Sequence, residues 1–252
     1  MSGPLAPLSN RIVPILNRPL ARTGAWLRRS LFAQECVLCA APGGAGFFCP
    51  GCDREMPRPA EACPQCAGPS PGGAVCGACL RVPPSFDTTI AAWRYEFPVD
   101  RLVQALKYGG RLALADAFAA ALASALGTRR VELLVPMPLS APRLRERGFN
   151  QAMEIARHLA RRSLTRIDAH AVARIRDTPP QTDLPHDARA ANVRGAFACT
   201  GLVAGLNVAL VDDVMTTGAS LEELARTLKA AGAAGVENWV VARTWPRGAR
   251  EP

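Results

Sequence analysis

The chain is poor in aromatic residues, histidine and lysine. Its 252 residues include 2 tyrosines, 4 tryptophans and 3 histidines, and the lysines are Lys107 and Lys229 alone. It lacks an apolar run of the roughly 18–20 residues that a transmembrane helix requires, which excludes a protein built on such helices. Scarce aromatics also argue against the stacking platforms typical of single-strand binding grooves. With 49% apolar and 20% charged residues, the composition is that of an ordinary globular protein.

Residues 1–35 form a basic lead-in segment with no recognisable secretory signal. Proline interrupts its apolar runs and no small-residue cleavage site follows, so we expect a cytoplasmic protein. A weakly amphipathic helix over residues 21–32 would suit an anionic surface, and a solvated segment explains the same residues.

The net charge of +9 comes almost entirely from arginine. Arg157, Arg161 and Arg162 form a basic stripe on a predicted helix. Such a stripe suits the phosphates of a small ligand or of nucleic acid, and a solvated charged helix face explains it equally well.

Eight of the nine cysteines form four C-x-x-C pairs, which are typical of zinc sites. Nine residues separate the first pair from the second, and nine separate the third from the fourth. This repeat predicts two zinc ribbons in tandem, although interleaved pairing also fits. Disulfides are the alternative, but no export signal supports them.

The predicted ligands are Cys36, Cys39, Cys49 and Cys52 for one zinc, and Cys63, Cys66, Cys76 and Cys79 for the other. Four cysteinates close the coordination shell, so both zinc ions would be structural.

After residue 83 the sequence changes to alternating strand and helix patterns. We therefore predict a double zinc ribbon over residues 36–83 and a larger domain over 84–252. Alternation of this kind predicts an α/β fold with a mostly parallel sheet flanked by helices. Strands are predicted at residues 88–97, 131–139, 169–175, 193–199, 207–214 and 237–244, and helices at 99–109, 111–126, 150–163 and 220–233, the last capped by Ser220.

The strand over residues 207–214 ends in Asp212 and Asp213, which we expect to face solvent. Ligands of parallel sheets bind beyond the carboxyl ends of the strands. The loop that follows leads into the start of a helix, where free N–H groups and the helix dipole favour an anion. Carboxylates accept hydrogen bonds from vicinal hydroxyls. The pattern therefore predicts a ribose 5-phosphate site. The predicted phosphate cradle consists of Thr216, Thr217, Gly218, Ala219 and Ser220.

Three alternatives account for the paired acids less fully. Paired aspartates bind Mg²⁺ in response regulators, but there they lie on the first strand without a Thr-Thr-Gly loop. A Walker loop would need G-x-x-x-x-G-K-[ST], which this sequence lacks. An aspartate at a helix N-cap would explain one of the two acids, but it would not explain the second acid or the loop that follows.

The stretch "ALVDDVMTTGAS" resembles the phosphoribosyl-pyrophosphate (PRPP) motif of type I phosphoribosyltransferases. Around it, "YEFPVDRLVQALKYGGR", "VPMPLSAPRLRERGFNQA" and "RIRDTPPQTDLPHDARAANVRGAF" resemble the ComF family of bacterial competence proteins, also called the GntX family. That family also carries an N-terminal cysteine-rich zinc module, so the resemblance covers about residue 30 to the end.

The resemblance implies roles for individual residues. Asp212 and Asp213 would hold the ribose hydroxyls, Lys107 would contact phosphate, and Mg²⁺ would arrive with the pyrophosphate. A loop over residues 136–149 would approach the pyrophosphate with its arginines, and residues 177–194 would form a mobile loop over the site. The candidate arginines are Arg143, Arg145 and Arg147.

Two classes of function follow from the resemblance. The first is an enzyme that transfers phosphoribosyl to an acceptor. The second is a non-catalytic module that senses PRPP or a nucleotide and binds single-stranded DNA together with competence machinery. Purine-salvage relatives often carry a further aspartate where this chain has Thr216. Because a hydroxyl is a poor general base, we do not expect a 6-oxopurine acceptor.

Overall fold

The computed structural model describes residues 35–42, 46–176 and 192–246. The predicted helix over residues 21–32 lies outside the described residues. So do residues 177–191, which make up most of the predicted covering loop. Among the helices of the described residues, none has the length and apolar character needed to cross a membrane.

The larger part of the molecule is built on a five-stranded sheet. Its strands are β1 (Thr88–Arg94), β2 (Leu133–Pro136), β3 (Arg166–Ile167), β6 (Asn207–Met215) and β7 (Gly235–Arg243), in the order β1-β7-β6-β2-β3. Every pairing in this sheet is parallel. Strand β6 is central, and its residues 208–211 are completely buried, as expected for a strand covered on both faces. The predicted fold class, a mostly parallel sheet flanked by helices, is confirmed.

Amphipathic helices supply the apolar faces that cover this sheet. They are α3 (Val99–Gly109), α4 (Ala113–Leu126), α6 (Gln151–Ser163) and α7 (Ala219–Ala230). Leu106, Phe118, Leu159 and Leu224 are all completely buried. Spacings of three and four residues place such side chains on one helix face, which is why the sequence periodicity identified these helices.

Three local expectations need correction. Strands β4 (Val172–Arg174) and β5 (Phe197–Cys199) form a separate antiparallel pair instead of joining the parallel sheet. The segment predicted as a loop after β2 contains a helix, α5 (Ala141–Arg147), which ends at Gly148 in the left-handed region. Strand β3 was not predicted, because two residues carry no periodicity.

Contacts divide the chain into two compact units, Met1–Glu55 and Met56–Pro252. Within the described residues, the first unit holds the first two C-x-x-C pairs and the short helix α1 (Pro50–Arg54). The second unit holds the other two pairs, the short helix α2 (Gly77–Arg81) and the sheet. Ala67 of the second ribbon and Phe86 are buried in the same hydrophobic cluster as β6 and α7. The limits 36–83 and 84–252 stay predictions, but the second ribbon shares the core of the larger unit.

Candidate functional site

The cysteines form two clusters of four, each from two consecutive C-x-x-C pairs. Within each cluster the four sulfurs lie within 4.8 Å of one another. Cys39 Sγ lies 3.7 Å from Cys49 Sγ, and Cys66 Sγ lies 3.8 Å from Cys76 Sγ. Zn–S bonds of about 2.3 Å in a tetrahedron would place the sulfurs about 3.8 Å apart. The tandem pairing is therefore correct, and two structural zinc sites fit the geometry.

The cysteines are free thiols, and each cluster contains a sulfur with a lowered pKa beside one whose pKa is raised, Cys52 by its sulfur neighbours and Cys79 by burial and its sulfur neighbours. A disulfide needs sulfurs about 2.05 Å apart, far closer than these. Burial opposes ionisation of Cys36, but backbone N–H groups directed at its sulfur prevail and lower its pKa to about 6. The same balance lowers the pKa of Cys63 to about 7. Thiolates are the form that binds zinc, so the chemistry of both clusters suits the metal.

Asp212 and Asp213 lie on β6 near its carboxyl end and have different surroundings. Asp213 is only 3% exposed, and its Oδ2 lies 2.7 Å from Nζ of Lys107 on α3. Asp212 is half-buried, and its Oδ1 accepts from the backbone N–H of Asp213 at 2.8 Å. The expectation that both acids face solvent is therefore wrong for Asp213, which is buried with a counter-ion from another element.

Burial and neighbouring charges shift the pKa values of Asp212 and Lys107. Burial, aided by the neighbouring Asp213, raises the pKa of Asp212 to about 8. Burial lowers the pKa of the Lys107 ammonium, but attraction to Asp213 outweighs this and leaves it above its ordinary value. A half-buried acid held partly protonated near neutral pH is typical of binding and catalytic sites.

The loop between β6 and α7 leads into the start of a helix, as predicted, with one correction. Gly218, at φ 83°, is the N-cap of α7, and the helix starts at Ala219. Ser220 is therefore the second residue of the helix and not its cap. A Cβ on Gly218 would lie 2.6 Å from the mobile Cε of Met215, and φ 83° is a left-handed conformation that favours glycine. Thr217 Oγ1 accepts from the N–H of Ala219 at 3.3 Å, which stabilises the turn.

A cavity of about 310 Å³ lies at this end of the sheet. Seven of the predicted site residues line it: Lys107, Arg143, Arg147, Asp212, Asp213, Thr216 and Ser220. Arg145 is exposed on another face of α5 and does not line it. Thr217, Gly218 and Ala219 line a second cavity behind the loop.

Sequence reasoning missed several residues of this cavity. Gln151 and Arg174 both line it. Gln151 Oε1 accepts from Arg147 at 3.0 Å, and the Arg147 guanidinium also lies 5.2 Å from the centre of the Tyr108 ring. These contacts hold Arg147 at the cavity. No spacing signal could have found Gln151 or Arg174, because Gln151 begins a separate helix after the break at Gly148 and Arg174 lies on β4.

The basic stripe on α6 is largely paired with acids. Arg157 contacts Glu154 on the same helix, and Arg162 Nη1 lies 2.6 Å from Asp116 Oδ1 on α4. Arg161 is exposed. Neighbouring acids thus offset part of the positive charge that the sequence pattern suggests.

Comparison with known proteins identifies the family. A family model described as a double zinc ribbon domain matches residues 27–80. "DNA utilization protein YhgH" of Salmonella typhimurium is 33% identical over 172 residues, which cover 66% of this chain and 76% of that protein. "Competence protein F" of Haemophilus influenzae is 30% identical over 65% of this chain and 76% of its own length. "Competence protein ComFC" of Bacillus subtilis is 35% identical over 44% of this chain and 45% of its own length.

Two solved structures resemble this chain more weakly than these relatives do. The first is described as the allosteric regulatory enzyme of purine biosynthesis, and the second is glutamine PRPP amidotransferase from B. subtilis. Both align with 51% of this chain. The first is 19% identical and is covered over 25% of its own length, and the second is 18% identical and is covered over 26%. A TM-score of 0.35 in both cases is too low to carry an argument. The relatives, with the paired zinc sites and the mostly parallel sheet, show that this chain belongs to the ComF family.

Proposed function

We propose that the cavity at the carboxyl end of β6 binds PRPP with Mg²⁺. The observation that carries this proposal is the convergence on one cavity of paired acids, two arginines, and Thr216 and Ser220 around the start of α7. Asp212 and Asp213 would accept from the ribose hydroxyls, and the start of α7 would hold the 5-phosphate.

The positive side chains of the cavity suit a pyrophosphate group. Arg143 and Arg147 lie four residues apart on α5, so their guanidinium groups share one face. Arginine binds phosphate oxygens through paired N–H donors. Lys107, already 2.7 Å from Asp213, would add a third cation. Mg²⁺ would come with the ligand, since it binds through few protein carboxylates and many phosphate oxygens, and Asp212 supplies a suitable oxygen.

The chemistry that fits this site is transfer of a phosphoribosyl group. Its transition state resembles an oxocarbenium ion at C1 of the ribose, with negative charge on the departing pyrophosphate. Positioning and charge stabilisation by the arginines would supply most of the catalysis. Thr216 lines the cavity and stands at the motif position where purine-salvage relatives often carry an aspartate, and its hydroxyl is a poor general base. We therefore propose an acceptor that requires no deprotonation.

The names of the relatives point to a role in handling DNA. Two are competence proteins and one is a DNA utilization protein. We propose that this chain likewise acts in natural competence and DNA uptake. Eight cysteines that bind zinc in the reduced form suit a reducing compartment such as the cytoplasm.

A second candidate is a module that senses PRPP without catalysis and binds single-stranded DNA. The exposed Arg161 and the threonine, instead of an aspartate, at position 216 favour it. Incubation with PRPP, Mg²⁺ and a panel of bases, followed by measurement of pyrophosphate release, separates the two. Release with one acceptor supports the enzyme, PRPP binding without release supports the sensor, and brisk conversion of hypoxanthine or guanine contradicts the assignment of Thr216.

A matched pair of variants tests the cavity itself. Arg147→Met should weaken PRPP binding about tenfold or more, because a charge-assisted contact to phosphate is lost. Arg145→Met on the same helix should leave binding unchanged, because that side chain is directed away from the cavity. Equal effects of the two substitutions would contradict the placement of the pyrophosphate.

A further inference from the structure

Arg243, the last residue of β7, joins the second zinc ribbon to the loop that precedes α7. Its Nε donates to the carbonyl oxygen of Cys66 at 2.9 Å. Its Nη1 donates to the carbonyl oxygen of Met215 at 3.0 Å and also to that of Thr216. All four residues belong to the compact unit Met56–Pro252. One guanidinium therefore holds a zinc-ligand residue and the proposed phosphate loop together.

These contacts orient the peptide groups of the loop. In a planar trans peptide, the carbonyl oxygen of one residue and the N–H of the next point in opposite directions. Arg243 holds the carbonyl oxygens of Met215 and Thr216. The N–H of Thr244 also donates to the carbonyl oxygen of Met215 at 3.0 Å. The N–H groups of Thr216 and Thr217 are therefore directed away from Arg243. Arg243 and Thr217 line a cavity of about 600 Å³ on the ribbon side, whereas Thr216 lines the proposed ligand cavity. Successive N–H groups that share a direction form an anion-binding concavity.

The second zinc knuckle determines where the Cys66 carbonyl lies. Cys63 and Cys66 supply two sulfurs of one cluster. The turn between them is closed by the N–H of Ala67, which donates to the Cys63 carbonyl at 2.8 Å. Trp245, two residues beyond Arg243, donates from its indole N–H to the Ala67 carbonyl at 2.9 Å. The end of β7 thus contacts two consecutive carbonyl groups of the turn that carries Cys63 and Cys66.

We propose that Arg243 is a positioning residue that couples zinc binding at the second Cys₄ site to the conformation of the phosphate loop. The second zinc then sets the affinity for the ribose phosphate, whereas the first zinc, in the other compact unit, does not. The affinity part of this inference rests on the proposed function. The loop conformation can be measured without any ligand.

Three proteins test the role of Arg243: wild type, Arg243→Lys and Arg129→Lys. Lysine keeps the charge but cannot reproduce the guanidinium fork. Arg129 is a matched control, because it contacts Glu237 near the other end of the same strand. Amide hydrogen exchange of Thr216 and Thr217 is measured without ligand, PRPP–Mg²⁺ binding by calorimetry, and stability by thermal unfolding.

Arg243→Lys should accelerate exchange in the loop and weaken PRPP binding, each about tenfold or more. Arg129→Lys should change neither. Unchanged exchange in the Arg243→Lys loop would overturn the inference. If wild type fails to bind PRPP, the proposed function fails, while the exchange data still decide the role of Arg243.

The zinc ions are compared by Cys39→Ser in the first cluster and Cys76→Ser in the second. Only Cys76→Ser should accelerate loop exchange and weaken PRPP binding, and it should add little in the Arg243→Lys background. Equal effects of the two serine variants, or full additivity with Arg243→Lys, would overturn the coupling. If Cys76→Ser does not fold, stepwise chelation of wild type provides the same comparison, with amide exchange of Ala67, whose N–H closes the Cys63–Cys66 turn, reporting loss of the second zinc.

Discussion

Removal of the Lys107 ammonium should destabilise this protein far more than removal of its other lysine. Lys107→Met keeps the length of the side chain and deletes the charge. It leaves Asp213 without its cation, 3% exposed and next to Asp212. Coulomb's law with an effective dielectric of about 20 gives about 6 kcal/mol for charges 2.7 Å apart, and desolvation offsets much of this.

Loss of one partner of a buried ion pair typically costs about 3–5 kcal/mol. The Lys107 side chain retains 19% exposure, so we expect a loss of about 2–4 kcal/mol in the free energy of unfolding. Lys229→Met is the control. Lys229 Nζ lies 2.8 Å from Asp87, but the two side chains are 30% and 53% exposed. Exposed pairs contribute about 0–1 kcal/mol, so this variant should remain close to wild type.

Urea denaturation at pH 8 measures both variants, with Asp213→Asn and the double variant Lys107→Met/Asp213→Asn completing a mutant cycle. The double variant should recover part of the lost stability, because the unpaired anion is removed together with the cation. Equal stability of Lys107→Met and Lys229→Met would refute the reasoning that Asp213 is a buried anion dependent on Lys107.

Three further predictions follow from the metal sites, the acid pair and the basic stripe. Elemental analysis should find two zinc ions per chain and one after Cys36→Ser; a wild-type value of one or none would contradict the paired sites. Because the folded state holds the Asp212 proton up to about pH 8 and the unfolded state only to the ordinary pKa of 3.8, stability should fall as pH rises through this window. Thermal unfolding of Asp212→Asn should show a growing advantage over wild type from pH 5 to 9, and a constant difference would contradict the shift. If the α6 stripe binds single-stranded DNA, affinity should fall steeply with salt and vanish when its arginines are changed to glutamate, with PRPP binding retained; salt-insensitive binding would exclude the stripe. The substitutions are Arg157→Glu, Arg161→Glu and Arg162→Glu.

Spacing predicted the zinc sites almost completely, because a C-x-x-C turn places both sulfurs on one metal. Which pairs combine could not be read from spacing, since tandem and interleaved arrangements satisfy the same intervals. The folded chain decides it by bringing Cys39 within 3.7 Å of Cys49. Sequence also could not show that the second ribbon packs with the sheet, because the contacts of Ala67 join residues distant in the chain.

The acids at the end of β6 were predicted from a buried strand followed by a glycine loop. Their burial was not, since the Lys107–Asp213 pair joins residues on different elements through the fold. Helical spacing would have distinguished Arg143 and Arg147 from Arg145. The three prolines before them, at positions 136, 138 and 142, are typical of a loop and obscured that signal. The same limit applies to β4 and β5, whose short patterns predict strands without specifying a partner.

The most direct test of the account is calorimetric titration of the wild-type protein with PRPP in the presence of Mg²⁺. We predict saturable binding of one PRPP per chain, competition by ribose 5-phosphate, and loss of binding in the double variant Asp212→Asn/Asp213→Asn that still unfolds cooperatively. Absence of binding to the folded wild-type protein, or unchanged affinity in that double variant, would contradict the assignment of the cavity as a ribose phosphate site.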